Sequence, residues 1–286
     1  DMATLENATA KANQILTKIE NMAAANCTAV DIAYTPADIL RNKHAGKKSI
    51  MMGIENGYAI GLDISNVEAF RKRGVVYMTL CHNGDNDICD SARGKHEHHG
   101  VSTFGADVIH EMNRLGMMVD LSHASEESFY DALDISSAPI VCSHSSSRAL
   151  CDHPRNLTDS QMQALAKAGG VAQVTLYHGF LVKDSIDYNP SNVQRSFAEP
   201  ASSIKEATIL DAIEHLNHMV NVMGIEHVGI GTDFDGDGGI RGCASASELI
   251  NFTRRLLRER YSEEQIQMIW GGNFLRVMED VQKNKR

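Results

Sequence analysis

The chain has 286 residues, which fits one large domain or two small ones and is long enough to bury a core without disulfides. Apolar residues make up 43% of the chain and charged residues 22%, which excludes a disordered tail protein, a collagen and a coiled coil. The formal net charge of −10 disfavours nucleic-acid binding, because phosphate contacts need Lys and Arg. No apolar run reaches the roughly 18 residues of a membrane helix. The 13 histidines are the outlier and favour metal or proton chemistry.

The cysteines and the start of the chain say little about the compartment. None of the 6 cysteines forms a C-x-x-C pair, so we expect buried thiols and no zinc ribbon. The chain opens Asp1-Met2-Ala3 without the basic and apolar regions of a signal peptide. Because a native start is normally Met, we expect the sequence to begin downstream of the true N-terminus. Cytoplasmic and periplasmic locations both stay open.

Apolar, strand-like runs alternate with helical patterns along the chain. The strand-like runs cover residues 27–33 (the weakest), 49–54, 74–80, 116–121, 139–142, 170–176 and 227–232. Helical patterns cover residues 1–25, 104–115, 126–135, 159–167, 204–223, 246–258 and 263–270. This alternation predicts right-handed βαβ units with a parallel sheet, in a single domain over residues 1–286.

Five of the strand-like runs lead to a residue that can bind a metal or move a proton: Glu55, His82, His123, His144 and Asp233. The carboxyl ends of the strands form the active-site face of a (β/α)8 barrel, whereas a doubly wound sheet gathers its ligands at one switch point. We therefore predict an α/β fold of the (β/α)8 TIM-barrel type. Imidazole and carboxylate groups on rigid strands suit zinc or another divalent transition metal. No nucleotide-binding glycine motif follows any strand.

Two polar stretches have competing interpretations. Residues 231–240 (GTDFDGDGGI) have the acidic spacing of a calcium loop, but Ala244 stands where that loop needs Glu. We interpret this stretch as a catalytic Asp followed by a glycine-rich turn. Residues 95–99 (KHEHH) are predicted to form a solvated loop, with a site-lining role as the alternative.

The sequence after the strand-like run 139–142 contains a serine–histidine pair and, further on, a candidate cationic residue. Ser143-His144-Ser145 lacks the G-x-S-x-G nucleophile elbow, which disfavours a serine hydrolase. Arg155 follows shortly afterwards and could clamp a carboxylate through two parallel hydrogen bonds. A surface or helix-capping role for Arg155 fits its spacing equally well.

Several long motifs occur together in one order. They are residues 53–57 (GIENG), 77–83 (YMTLCHN), 111–123 (EMNRLGMMVDLSH), 143–148 (SHSSSR), 153–156 (HPRN), 231–239 (GTDFDGDGG) and 271–277 (GGNFLRV). In these motifs the chain resembles the membrane (renal) dipeptidase-type zinc metallopeptidases, in their bacterial branch, from near residue 1 to about residue 279. The resemblance implies zinc-dependent hydrolysis of the peptide bond of dipeptides by a metal-activated water.

The resemblance also implies a metal site with one departure from the family. Glu55 resembles the carboxylate that bridges two zinc ions, and His123 and His144 resemble the other ligands of the second zinc. The family's His-x-Asp pair, which binds the first zinc on the first barrel strand, is absent from this sequence. The only His before Glu55 is His44, in the polar stretch 41–46 that we predict to be a loop. We therefore expect a barrel that lacks its first strand or strands, with at most one tightly held zinc per chain.

The remaining candidates take roles in catalysis and binding by the same resemblance. Asp233 resembles the general acid/base, His82 the group that contacts the substrate and stabilises the oxyanion, and Arg155 the group that recognises the dipeptide's C-terminal carboxylate. The expected partner is a dipeptide, without nucleic acid or a membrane span, and a homodimer is possible. Two alternatives remain: a metal-dependent amidohydrolase for a cyclic amide or lactone, and a non-catalytic remnant without a complete metal pair.

Overall fold

A computed structural model describes residues 5–183 and 206–285 of the chain. Its strands are β1 Val30–Ile32, β2 Lys48–Ile50, β3 Met52–Glu55, β4 Val75–Thr79, β5 Met118–Asp120, β6 Val141–Cys142, β7 Val171–Thr175 and β8 Val228–Gly231. Its helices are α1 Leu5–Ala25, α2 Pro36–His44, α3 Ser65–Lys72, α4 Thr103–Leu115, α5 Glu126–Ile135, α6 Asp159–Lys167, α7 His178–Leu181, α8 Ile209–Met223, α9 Leu249–Arg258, α10 Glu263–Gln267 and α11 Asn273–Lys283.

The main sheet is parallel and follows the order of the sequence. Its six strands run β3-β4-β5-β6-β7-β8, and helices lie between most successive strands in the chain. The short strands β1 and β2 form a separate parallel pair. Sequential parallel strands alternating with helices are the arrangement of TIM-barrel-type folds, so the predicted α/β fold class is confirmed.

The chain divides into two compact units, Asp1–Val141 with Leu275–Arg286, and Cys142–Phe274. In the first unit, α3 packs on α4 and α1 packs on a single 3-10 turn, Gly57–Ile60. Arg73 anchors α1 through two hydrogen bonds of 2.9 and 2.7 Å to the Glu20 carboxylate. In the second unit, α6 packs on α8, with Met162 and Leu216 fully buried. Burial of such side chains supplies most of the free energy that holds each unit together.

Side-chain caps set the start of several helices. Thr158 and Gln161 form a capping box at the start of α6, and the Ser125 hydroxyl accepts a hydrogen bond from the Ser128 N–H at the start of α5. These caps satisfy N–H groups that have no partner within the helix, and both predicted helices are confirmed with their predicted bounds. The helix predicted over 204–223 begins at Ile209 behind a Thr208 cap, and its first two positions lie outside the described residues.

Two predictions before Glu55 are wrong. The run 49–54 is not one strand, because the chain leaves β2 at Ile50 and enters β3 at Met52, and these strands belong to different sheets. The stretch 41–46 is not a loop throughout, because α2 runs to His44. The signal for α2 was present in the sequence: Thr35 caps the helix and a proline occupies its first turn.

The remaining differences between the predicted and the observed elements are smaller. The helix predicted over 263–270 ends at Gln267 and continues as a π-turn, Met268–Gly272, in which Gly271 has φ 157°. The helix predicted over 246–258 begins as a 3-10 turn and becomes α-helical at Leu249. All six cysteines are free; five are buried as expected, whereas Cys27 is exposed. Across residues 5–183 and 206–285, no helix has the length and apolar character needed to span a bilayer.

Candidate metal and substrate site

Glu55, His82 and His123 come together at the carboxyl ends of β3, β4 and β5. Glu55 pairs with Thr79 across β3 and β4, and Thr79 pairs with Asp120 across β4 and β5, so residues at these ends share one edge of the sheet. The Nε2 atom of His123 lies 3.2 Å from Oε1 of Glu55, and Nε2 of His82 lies 3.9 Å from the same oxygen. The rings of His82 and His123 have centroids 4.3 Å apart.

The backbone aims His123 at this cluster in an unusual conformation. His123 has φ 75°, in the left-handed region that residues other than glycine rarely adopt. Its carbonyl accepts a hydrogen bond of 2.7 Å from the Ala92 N–H, and its side chain is buried. Such backbone strain costs on the order of 1–3 kcal/mol and tends to concentrate at functional sites.

Carboxylates organise the loop that carries His82. Asp85 accepts hydrogen bonds from the Ser91 and Lys95 N–H groups at 2.8 and 2.7 Å, and the Ser91 hydroxyl donates a short hydrogen bond to the His82 carbonyl. Partial burial raises the pKa of Asp85, but these backbone hydrogen bonds outweigh it and hold that pKa below its usual value. His82 itself keeps 41% of its side chain exposed, so a small ligand can reach it.

The polar cluster at 95–99 lies in the same loop and is largely exposed, as predicted. Hydrogen bonds of His98 hold this cluster to the rest of the loop. The His98 N–H donates to Asp90 Oδ1 at 2.9 Å, while Nε2 of His98 forms a hydrogen bond of 2.8 Å with the Asn86 carbonyl.

His144 lies two residues beyond β6 and is buried. Its Nδ1 atom forms a hydrogen bond of 2.8 Å with the Ser143 hydroxyl, a contact that orients the imidazole. Glu55, His123 and His144 each offer one ligand atom, and these atoms all lie within 4.8 Å of one another. One carboxylate and two imidazoles make a donor set that zinc binds, so the chemistry of these residues fits a metal ion.

Arg155 is buried, with 3% of its surface exposed, so the surface alternative is wrong. Its guanidinium carbon lies 5.3 Å from the centre of the Phe180 ring, and its Nη2 donates to the His144 carbonyl at 3.5 Å. A guanidinium over an aromatic face gains electrostatic attraction and keeps a fixed plane. The same ring packs against His153 and Tyr177, with centroid distances of 4.5 and 4.6 Å.

Asp233 stands two residues beyond β8 in a tight turn and has φ 57°, again in the left-handed region. Its carbonyl accepts hydrogen bonds from the N–H groups of Gly236 and Gly238 at 3.0 and 2.7 Å. A Cβ atom at Gly238 would lie 2.2 Å from the Thr232 carbonyl oxygen, so this turn requires glycine.

Sequence reasoning missed the residues that support Arg155. Phe180 belongs to the short helix α7, and Asn156 donates hydrogen bonds of 2.8 Å to the carbonyls of both Cys151 and Phe180. Asn156 could have been singled out, because it stands in the HPRN motif. His215, buried on α8, carries no local signal, since its partners are distant in the sequence.

The sequence matches the profile of the membrane dipeptidase family, peptidase family M19, over residues 2–286. A dipeptidase of Claviceps purpurea is 34% identical over 255 residues, covering 88% of this chain and 56% of that protein. An uncharacterized dipeptidase of Schizosaccharomyces pombe is 37% identical over 253 residues, covering 87% and 56%. The chain thus spans about half the length of these curated relatives.

Solved structures show the same fold. A probable dipeptidase from Pseudomonas aeruginosa superposes with a TM-score of 0.86 at 31% identity, covering 94% of this chain and 78% of the other. A metallopeptidase from Rhodobacter sphaeroides, solved with a phosphinate mimic of the dipeptide L-Ala-D-Ala, has a TM-score of 0.81 at 24% identity, covering 93% and 72%. At that identity the second match shows the fold alone.

Proposed function

We propose that this chain, which belongs to the membrane dipeptidase family (peptidase family M19), hydrolyses the peptide bond of dipeptides with the help of bound zinc. The observation that carries the proposal is the group of Glu55, His123 and His144, whose ligand atoms lie within 4.8 Å of one another. The names of the relatives support the substrate class, since the two fungal proteins are both called dipeptidases. The family match over residues 2–286 supports treating both compact units as parts of one domain.

Glu55, His123 and His144 are the residues that would hold the metal. Among residues 5–183 and 206–285, they are the one group of this kind, and we therefore propose one zinc ion per chain. Zinc bound in this way supplies a Lewis acid that polarises the scissile carbonyl and lowers the pKa of water. Three protein ligands are the number that catalytic zinc sites commonly use, so a zinc ion held by these residues would remain accessible to water or substrate.

Two further residues handle charge and protons in this proposal. Asp233 passes the proton of the attacking water to the leaving amine, because a carboxylate can accept and then donate it. Its turn, fixed by the Gly236 and Gly238 N–H groups, holds that carboxylate in one place. His82 donates a hydrogen bond to the oxyanion, which its exposed ring and its position 3.9 Å from Glu55 allow.

Arg155 binds the C-terminal carboxylate of the dipeptide. A guanidinium offers two parallel N–H groups that match the two oxygens of a carboxylate, and the Phe180 ring beneath it fixes the plane of that fork. A cationic clamp on a free carboxylate favours substrates that end one residue after the scissile bond. Longer peptides would place their carboxylate too far from the clamp.

The test is hydrolysis of four compounds by the purified chain: a dipeptide, its C-terminal amide, the corresponding cyclic dipeptide and a small lactone. Each is assayed with zinc and after chelation. We expect zinc-dependent hydrolysis of the free dipeptide and much slower hydrolysis of its amide. Preferred hydrolysis of the cyclic amide or the lactone would instead indicate the other amidohydrolase class. Zinc binding without any turnover would indicate the non-catalytic remnant.

A further inference from the structure

We propose that His215 is a positioning residue for substrate recognition, which ties α8 to both the Arg155 loop and helix α7. The Arg155 loop is defined here as residues 143–157. This inference rests on the proposed function, because it assumes that Arg155 binds the substrate carboxylate. His215 itself contacts neither the metal ligands' side chains nor the substrate in this proposal.

The His215 imidazole uses both of its nitrogens on backbone groups of different segments. The Ser147 N–H donates a hydrogen bond of 3.0 Å to Nδ1, and Nε2 donates one of 3.0 Å to the Leu181 carbonyl. Ser147 lies in the Arg155 loop, whereas Leu181 is the last residue of α7. His215 is 1% exposed, so water does not compete for either contact.

The chemistry of this contact requires a neutral ring. A neutral imidazole has one acceptor and one donor nitrogen, which matches a backbone N–H on one side and a carbonyl on the other. Burial lowers the pKa of His215 to about 4, although the hydrogen bond to the Leu181 carbonyl acts in the opposite direction. The ring is therefore neutral at pH 7 with its proton on Nε2.

Both segments held by His215 contribute to the carboxylate clamp. The Arg155 loop carries the guanidinium, and α7 carries the Phe180 ring 5.3 Å from it. Helix α7 has only four residues, too few to be stable alone, so its place depends on contacts such as that with His215. Asn156 supplies a second tie through its hydrogen bond of 2.8 Å to the Phe180 carbonyl.

Loss of His215 would leave two buried backbone groups, the Ser147 N–H and the Leu181 carbonyl, without the partner that they have now. The Arg155 loop and α7 would relax toward other partners, and the guanidinium would shift relative to the substrate. A displacement of about 1 Å at a positioning group can change rates about 100-fold. The lost hydrogen bonds belong to Ser147 and Leu181, beyond His144, whose imidazole keeps its own hydrogen bond to the Ser143 hydroxyl, so we expect the effect mainly on substrate binding.

The experiment compares H215F, H215Q and the matched control H218A. Phenylalanine keeps the ring volume and removes both hydrogen bonds, whereas glutamine restores one donor and one acceptor. His218 stands one turn further along α8 and bonds Asp159 Oδ1 at 2.8 Å, so H218A removes a tie to α6 and leaves the clamp intact. The readout is the ratio of kcat/KM for a dipeptide to kcat/KM for its C-terminal amide.

We expect H215F to raise KM for the dipeptide about tenfold with little change in kcat, so that the dipeptide-to-amide ratio falls about tenfold. H215Q recovers most of this ratio, and H218A keeps the wild-type ratio. An unchanged ratio in a folded H215F, or an equal fall in H218A, would overturn the positioning role. If H215F does not fold, nitrogen NMR of the wild type decides: a proton on Nδ1 of His215 at neutral pH would overturn the proposal.

The two proposals fail in different ways. A wild-type chain that hydrolyses no dipeptide contradicts the proposed function, and dipeptide binding by the zinc-loaded protein then replaces KM as the readout. Weaker binding in H215F but not in H218A would still support positioning by His215. Equal binding by wild type and H215F, or no binding by either, would overturn it.

Discussion

The Nε2 atom of His123 lies 3.2 Å from Oε1 of Glu55, and the His123 backbone reaches this position with a left-handed φ of 75°. The strand β5 ends at Asp120, and His123 lies three residues later, in a turn that brings its imidazole to the carboxylate. The conformation is unfavourable for residues other than glycine, which indicates that the position of this proposed ligand is maintained at the expense of stability.

The backbone of His123 gives the first prediction. In the metal-free protein, H123G should be more stable than H123A by about 1 kcal/mol, because glycine adopts the left-handed region without a steric penalty. H123N should lie between them, since asparagine tolerates this region better than alanine does. Chemical denaturation of the three variants measures the difference. Equal stability of H123G and H123A would show that this position is not strained.

Arg155 gives a prediction on substrate affinity. In the proposed role R155A loses a charge-assisted clamp of about 2–3 kcal/mol, so KM for a dipeptide should rise by about 30- to 150-fold. R155K should recover only part of this loss, because an ammonium cannot make the planar two-bond contact. Steady-state kinetics with the dipeptide and its amide provide the measurement and its control. An unchanged KM for the free dipeptide would remove Arg155 from substrate recognition.

Asp233 should show the opposite pattern. D233N keeps the size of the side chain, and asparagine tolerates φ 57°, so the turn should persist. Turnover should fall by about 100-fold or more because the amide cannot take up the proton, while KM and zinc content stay near wild type. A variant with normal turnover would assign the proton transfer to another group.

The sequence predicted those parts of the structure that depend on local signals. Helices α5 and α6 carry Ser and Thr caps in the sequence, and their predicted bounds agree with the structure. The polar residues at strand ends were correctly placed next to β3, β4 and β5, because alternating strands and helices fix which end of each strand meets its neighbour. The split between β2 and β3 was not predictable, since the apolar run 49–54 is continuous and only pairing with β1 separates its halves.

The contacts that hold the site residues in place could not be predicted from the sequence. The contact between Arg155 and Phe180 joins two segments that are 25 residues apart, and the contact between Ser147 and His215 joins two that are 68 residues apart. A buried histidine on a helix has no pattern that distinguishes it from any other core residue. The left-handed backbone conformation of His123 could not be predicted either, because the turn contains no glycine that would indicate a positive φ.

His215 gives a prediction on stability against pH. Its pKa is about 4 in the folded protein, whereas the ordinary pKa of a histidine is 6.5, so the unfolded state binds more protons between these values. The contribution is full above pH 6.5 and is lost as the pH falls toward 4, by about 2 kcal/mol between pH 7 and pH 5. Asp211 raises this pKa slightly and His218 lowers it.

Urea unfolding at pH 7 and pH 5 checks this value. The loss of unfolding free energy on acidification should be smaller in H215F than in the wild type by about 2 kcal/mol, because phenylalanine does not titrate. H218A keeps the burial that is the main cause of the low His215 pKa, so most of the acid-induced loss should persist in that variant. The same acid-induced loss in H215F and the wild type would mean that His215 is not buried as a neutral ring.

The zinc content of the ligand variants tests the central claim most directly. Wild type, E55Q, H123N and H144N are loaded with zinc, separated from free metal and analysed for bound zinc and for dipeptide hydrolysis. We expect a zinc-to-chain ratio near one in the wild type, a ratio near zero in each variant, and activity that falls in parallel, because two remaining ligands hold zinc weakly. Wild-type zinc content and hydrolysis in all three variants would contradict the assignment of Glu55, His123 and His144 as the metal site.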